Sequence, residues 1–364
     1  MVSPKDIPHE ILLDIIAKLP VKSLLKFRCV CKSWHALISS PSFISAHLER
    51  TAMKSGCDYL LMHSGNPDCL SVFCPETYAK CLELDLPRHK SGSSFYVYGS
   101  CNGLLCISDT TMESTYLWNP SIRKFKRLPK GLICGKYRYR SVATVSLGFG
   151  LDVGGNDYKV VRIGRFLHGV CVEVYSLRLD SWRIINAVPP VTKIFSVFWS
   201  EKWAYLNGVV YWIVQEFFPY CRYIISFDME NEVFQRIMLP DRLLTVTDSI
   251  SSRVLEKSLS LFHRRQEWDR GYRYYYDIWV LEMDSWRMIR TIPVPAEGKI
   301  AWPLAFTENG GVHFTTRYEN WQHRKLELYD PKSEQVTDTG IKLGTYSGTR
   351  RRIYGYSESL ILLN

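Results

Sequence analysis

The chain has no Cys-x-x-Cys pair. Its eleven cysteines, an odd number, are scattered from Cys29 to Cys221 without framework spacing. That argues against a disulfide scaffold and against the common zinc sites. No uncharged apolar run reaches the roughly 18 residues that a membrane-spanning helix needs, and Met1 to Glu10 has no apolar signal core. No Gly-x-Ser-x-Gly elbow occurs, and His9-Glu10 lacks the second histidine of a zinc helix. Gly148-x-Gly150-x-x-x-Gly154 misses the third-glycine spacing of a dinucleotide loop and runs on into strand-like sequence, so it is read as a turn. No cofactor and no metal are therefore expected. Carboxylates are numerous enough that sequence alone does not exclude an acid–base pair. The expectation is a protein of a reducing compartment, the cytoplasm and/or the nucleus, with free and mostly buried thiols.

What the chain has in quantity is aromatic side chains, 22 Tyr, 16 Phe and 11 Trp in 364 residues. Such residues favour strands and half-buried sheet surfaces. Net charge is +10, which favours acidic partners. The densest basic groups, Arg123, Lys124, Lys126, Arg127 and Lys130, then Arg350 to Arg352, sit beside turn-like sequence. No nucleic-acid-reading motif accompanies them, so nucleic acid is disfavoured as a partner.

The chain divides into two unlike parts. Residues 1–50 read as helices. Asp6 can cap and Pro8 sits near a helix start. Ile11, Leu12, Ile15, Ile16 and Leu19 follow at helical spacing until Pro20. Leu24, Leu25 and Phe27 mark a second helix; Val30, Trp34, Leu37 and Ile38 mark a third, ending before Ser39-Ser40-Pro41. Phe43 and Leu48 point to one last short turn. So few apolar positions make a thin core, and they cover more than one helical face. Either an outside partner or the C-terminal part completes it. Glu49 to Cys57 reads as linker. Residues 58–364 read as short strands, clearest at Tyr158 to Ile163 and Val209 to Val214, between Gly, Asn, Asp and Pro turns.

The second part repeats. Asp-Ser-Trp-Arg occurs at Asp180 and again at Asp284. Asn-Gly occurs at Asn102, Asn207 and Asn309, and suits the tight hairpin turn whose two central residues need positive φ. Trp118-Asn119-Pro120, Phe227-Asp228 and Tyr329-Asp330-Pro331 lie between them, and Cys74-Pro75-Glu76 fits one further unit. A step of roughly 40–50 residues is the signature of a propeller blade, giving an all-β propeller of six blades. Two β-sandwiches with coincidental turns are the alternative. Trp118, Trp182 and Trp286 are taken to occupy equivalent core positions.

Ile7-Pro8-His9-Glu10-Ile11-Leu12 through Leu19-Pro20-Val21, then Phe27-Arg28-Cys29-Val30-Cys31-Lys32-Ser33-Trp34, resembles the F-box motif. Ser100-Cys101-Asn102-Gly103-Leu104-Leu105-Cys106, Leu117-Trp118-Asn119-Pro120-Ser121 and Leu147-Gly148-Phe149-Gly150 with Asn156-Asp157-Tyr158-Lys159-Val160-Val161 resemble the F-box-associated, kelch-like domain of the large plant F-box family. The resemblance implies a small all-α F-box module followed by an all-β propeller. It also implies the substrate-recognition subunit of a Skp–cullin–F-box ubiquitin ligase. Such a subunit does no chemistry itself: it binds the Skp-type adaptor and, through it, the cullin and the RING protein, and presents an unknown protein target. Carried over by position, the adaptor contacts are Pro8, Leu12, Ile15, Leu19, Pro20, Val21, Leu24, Val30, Cys31 and Trp34, each of which could equally belong to the module's own core.

Specificity belongs to loops rather than to repeated positions. The non-repeating aromatics Phe217, Phe218, Tyr220, Trp268 and Tyr272 are therefore the expected target contacts. A glycan-binding or other propeller binding module is the competing reading, since aromatic faces stack on sugar rings.

Overall fold

Four short helices open the chain: α1 (His9–Ile16), α2 (Val21–Phe27), α3 (Lys32–Ile38) and α4 (Pro41–Met53). The computed structural model describes residues 9–53, 59–63, 68–87, 95–109, 112–133, 144–166, 169–191, 196–217, 220–244, 250–255, 257–268, 272–293, 300–307, 309–317, 324–343 and 353–363. Asp6, Pro8, Phe218 and Arg350 to Arg352 lie outside them. Helix α4 is longer than the single turn expected. The Ser40 hydroxyl accepts the Phe43 N–H at 3.2 Å and Pro41 sits at the first helical position, where a missing N–H costs nothing. The stretch from Glu49 read as linker is helical as far as Met53.

The strands then follow in fours. Blade I begins with β1 (Tyr59–Met62), β2 (Cys69–Phe73) and β3 (Lys80–Asp85). Blade II is β4 (Tyr96–Cys101), β5 (Leu104–Ser108), β6 (Thr115–Asn119) and β7 (Lys124–Arg127). Blade III is β8 (Thr144–Asp152), β9 (Asp157–Phe166), β10 (Gly169–Ser176) and β11 (Ser181–Ile185). Blade IV is β12 (Ser196–Leu206), β13 (Val209–Phe217), β14 (Tyr220–Asp228) and β15 (Phe234–Met238). Blade V is β16 (Ile250–Leu255), β17 (Ser258–Trp268), β18 (Tyr272–Glu282) and β19 (Ser285–Pro293). Blade VI is β20 (Ile300–Phe306), β21 (Val312–Arg317), β22 (Arg324–Asp330) and β23 (Gln335–Leu343). Last comes β24 (Tyr354–Tyr356). It pairs antiparallel with β1, Leu60 opposite Gly355, so the final strand completes the first blade and closes the ring. The six sheets of four strands make a six-bladed propeller.

Each blade is an antiparallel sheet with its first strand inside, except blade I, whose inner strand is β24. β8 touches β4 and β12, β12 touches β16, and β24 touches β4. The Asn-Gly pairs make the first turn of blades II and IV, with Asn102 at φ 51°, Gly103 at 76°, Asn207 at 48° and Gly208 at 83°. The Asp-Ser-Trp-Arg repeats make the last turn of blades III and V, with Asp180 and Asp284 also at positive φ.

The core lies between blades. Leu147, Phe149 and Tyr175 of blade III pack on Leu104 and Leu117 of blade II; Phe262 and Tyr276 of blade V pack on Phe314 of blade VI. Such faces are buried only when a neighbour covers them.

Two expectations need correction. Gly148 and Gly150 lie inside β8, not in a turn. A Cβ on Gly148 would sit 2.5 Å from the Trp212 ring, and one on Gly150 would sit 2.1 Å from the Tyr205 ring. The glycines let blade IV approach, and the turn falls at Gly154-Gly155. Trp118 is also not equivalent to Trp182 and Trp286. It lies in a third strand and stacks on Phe125 at 4.8 Å. Trp182 and Trp286 lie in fourth strands, and each indole N–H donates to the preceding blade, to the Pro129 and Met238 carbonyls at 2.8 Å.

Candidate adaptor-binding surface on the helical head

The head's core is Ile16, Ala17, Val21, Leu24, Ile38 and Phe43, and it includes Leu360 from the other end of the chain. The question left open by the sequence thus has a divided answer. Part of the head's apolar surface is covered by the C-terminal tail, and part is left outward.

The tail is held by the turn residues of blade II. The Asn119 side-chain N–H group donates to the carbonyls of Ser359 (3.1 Å) and Ile361 (2.9 Å), and Ser359 N–H donates to the Ser121 hydroxyl at 2.9 Å. Gly103 leaves room for Ser359, whose Cβ would lie 2.4 Å from any side chain placed there. From that seat the tail sends Leu360 into the head, and the Glu358 carboxylate accepts the Val21 N–H at 3.2 Å. Ile44 and Leu48 of α4 pack directly on the blade II–III core. The asparagine, serine and glycine of these motifs therefore fasten the head to the ring, a role that repeat spacing alone did not signal.

Of the residues expected to meet an adaptor, Val21 (1% exposed) and Leu24 (0%) are core. They pack with Leu360 and the other helices, the core alternative of the two that the sequence left open. Leu12, Leu19 and Trp34 are half-buried and pack on the core. Trp34 meets Phe27 edge-to-face at 5.2 Å. Pro20, Ile15, Val30 and Cys31 are exposed, Ile15 at 47% and Val30 at 68%. Ile11, 53% exposed, was missed. It stands four residues before Ile15, on the same side of α1, and that spacing was the available signal.

Lys22 and Lys26 of α2 and Lys32 of α3 are exposed as well. Hydrogen bonds from the Ser33 side chain and the Trp34 backbone hold the Cys31 thiol below its ordinary pKa. Behind them, Asp14 pairs with Lys18 at 2.9 Å and with Arg50 of α4 at 2.7 Å. These hydrogen bonds keep its carboxyl below the usual range. A helical surface with isolated aliphatic knobs and exposed lysines is suited to docking another protein. Among the described residues no cluster of three or more His, Cys, Asp or Glu is placed to hold a metal, and no helix is long and apolar enough to cross a membrane.

The expected target contacts stand elsewhere. Phe217 pairs with Tyr220 at the turn end of the β13–β14 hairpin, and Trp268 with Tyr272 at that of β17–β18. Their side chains lie outside the described set. By strand alternation these ends are on the face opposite the Asn-Gly turns, and so opposite the head.

Residues 74–287 match the F-box associated beta propeller domain and residues 5–45 the F-box domain. An F-box/kelch-repeat protein of Arabidopsis thaliana is 30% identical over 66% of this chain and 67% of its own length. The F-box protein CPR1 of the same plant is 27% identical over 92% of this chain and 84% of its own. Among solved structures, TolB from Acinetobacter baumannii aligns at TM-score 0.45 with 10% identity, over 87% of this chain and 72% of that one. With a propeller match over more than half its length and an F-box ahead of it, the chain belongs to the family of F-box proteins with an F-box-associated β-propeller.

Proposed function

We propose that this protein is the substrate-recognition subunit of a Skp–cullin–F-box ubiquitin ligase. One observation carries the reading. Ile11, Ile15 and Val30 remain in water on a head whose interior is already filled. Burying an aliphatic side chain is worth about 1.5–3 kcal/mol, so three such knobs supply an anchor for a Skp-type adaptor. The propeller would hold a protein target, and the cullin and RING protein would be reached through the adaptor.

No bond need be made or broken by this chain. Its contribution is proximity: tethering raises the effective concentration of target lysines at the ubiquitin thioester to about the millimolar range. The nine described cysteines carry thiols, of which only Cys69, Cys101 and Cys106 are buried, fewer than the mostly buried set expected; thiols suit work in the cytoplasm or nucleus.

The test is co-purification of the full chain with a Skp-type adaptor. Wild type should retain the adaptor through gel filtration, and Ile15→Asp combined with Val30→Asp should lose it. Equal retention by both proteins would remove the reading.

A further inference from the structure

The two faces of the ring differ in charge. Turns on the F-box side carry Asp152, Asp180, Asp228, Asp284 and Asp330, placed there by turn chemistry: Asp180 and Asp284 take positive φ, and Asp152, Asp228 and Asp330 accept N–H groups of their own turns; Glu282 stands beside them, paired with Arg287. The opposite ends of the middle strands carry arginines laid on aromatic rings. In blade V, Arg264 lies over Tyr274 (5.3 Å to the ring centroid) and Arg265 over Tyr275 (5.1 Å). In neighbouring blade VI, Arg324 lies over Trp302 at 5.0 Å. All six side chains are partly exposed. Arg265 is already answered by Asp277 at 3.2 Å and by Glu267. Arg264 pairs with no carboxylate among the described residues.

A guanidinium stacked on a ring is fixed in orientation. At Arg264, which no described carboxylate answers, the N–H edge fits an incoming carboxylate with two parallel hydrogen bonds. Little rotamer freedom then remains to be lost when an anion arrives. The spacing of single stacked arginines over two blades, without a continuous lysine track among the described residues, suits a run of side-chain carboxylates better than a nucleic-acid backbone. The head and the tail sit on the other side of the ring.

We propose that this arginine–aromatic rim of blades V and VI, on the face away from the F-box, captures an Asp/Glu-rich segment of the protein target. The proposal rests on the receptor reading, and gives that receptor a face and a target chemistry. The competing occupant of the same rim is a phosphorylated peptide.

The experiment uses the full chain co-purified with a Skp-type adaptor and three fluorescent 15-residue peptides: one Asp/Glu-rich, one Lys-rich, and one neutral but singly phosphorylated. Anisotropy is followed between 50 and 200 mM salt. The expected result is saturable binding of the acidic peptide alone, weakened by salt. It should fall about tenfold or more in Arg264→Ala with Arg324→Ala. Arg264→Lys should fall between wild type and that double variant, because it keeps the charge and loses the planar fork. Lys332→Glu, which changes total charge on the F-box side, should bind as wild type.

Circular dichroism and adaptor retention on each variant separate lost folding from lost binding. Preference for the phosphopeptide, or equal weakening by Lys332→Glu, overturns the proposal. So does acidic-peptide binding unchanged in a folded double variant. Any of these alongside normal adaptor capture leaves the receptor reading standing, whereas peptide binding without adaptor capture defeats that reading instead.

Discussion

In the helical head, Leu24 and Ile38 are fully buried, yet Ile11 and Ile15 stand one turn apart on the outer side of α1, half in water. In the propeller the exposed apolar groups are spread over several blades, such as Phe125 and Ile184 on fourth strands or Met283 in a turn, with Met288 and Ile289 adjacent on β19; scattered exposure of that kind needs no partner. The ring buries each blade face on the next. Among the described residues the head has no such neighbour on its outer side, and on its inner side it borrows one leucine from the tail. The comparison separates stability from recognition: the head is fastened inward by buried groups and left sticky outward.

The largest effect should come from cutting the inward fastening. Leu360→Asp places a carboxylate in the head's core, where Leu360 is 1% exposed. A loss of about 3–5 kcal/mol is expected for the head. Limited proteolysis should then cleave residues 9–53 early while the ring's own melting transition persists. Simultaneous collapse of both parts would show that they are one cooperative unit rather than two.

Much of this contrast was legible in the sequence. Leu19-Pro20-Val21 and Cys31-Lys32-Ser33-Trp34 marked the head because they form a contiguous segment, and the Asn-Gly and Asp-Ser-Trp-Arg repeats marked the blades because turn chemistry demands positive φ at those positions. Contacts across more than 200 residues were not legible. Nothing in local spacing says that Asn119 will bind the carbonyls of Ser359 and Ile361, or that Leu360 will fill the head. For Val21 and Leu24 the sequence left adaptor contact and module core equally open for the same reason: an apolar pattern shows that a residue is to be covered, not what covers it.

The ring has a weak seam of its own, and acid should find it. His313 of blade VI is buried beside Tyr78 of blade I, 3.0 Å from its hydroxyl. Burial lowers its pKa from 6.5 to about 4, so the unfolded chain binds the proton first as pH falls. The stability that neutral His313 provides is therefore complete above about pH 6.5 and is lost between there and pH 4. By linkage this is about 3 kcal/mol. Urea melts of the full chain at pH 7 and pH 4.5 should differ, and His313→Phe should reduce the difference. An unchanged difference would assign the acid sensitivity to other groups.

A smaller change should come from the clamp. Asn119→Ala removes both side-chain hydrogen bonds to the tail and leaves buried carbonyls unanswered, at a cost of about 1–3 kcal/mol. Hydrogen exchange should rise at residues 357–363 and in α2, with blades IV and V unaffected. Exchange that rises uniformly would mean the tail is part of the ring rather than a strap from ring to head.

The most direct test of the account is calorimetric titration of a Skp-type adaptor into the full chain, comparing wild type, Ile15→Asp with Val30→Asp, and Val21→Ala. The account predicts that the outward double variant loses about 100-fold or more in affinity while melting like wild type. Val21→Ala should instead lower the melting temperature and leave affinity near wild type. Adaptor affinity that is indifferent to the outward pair, or that follows only the buried Val21, would contradict it.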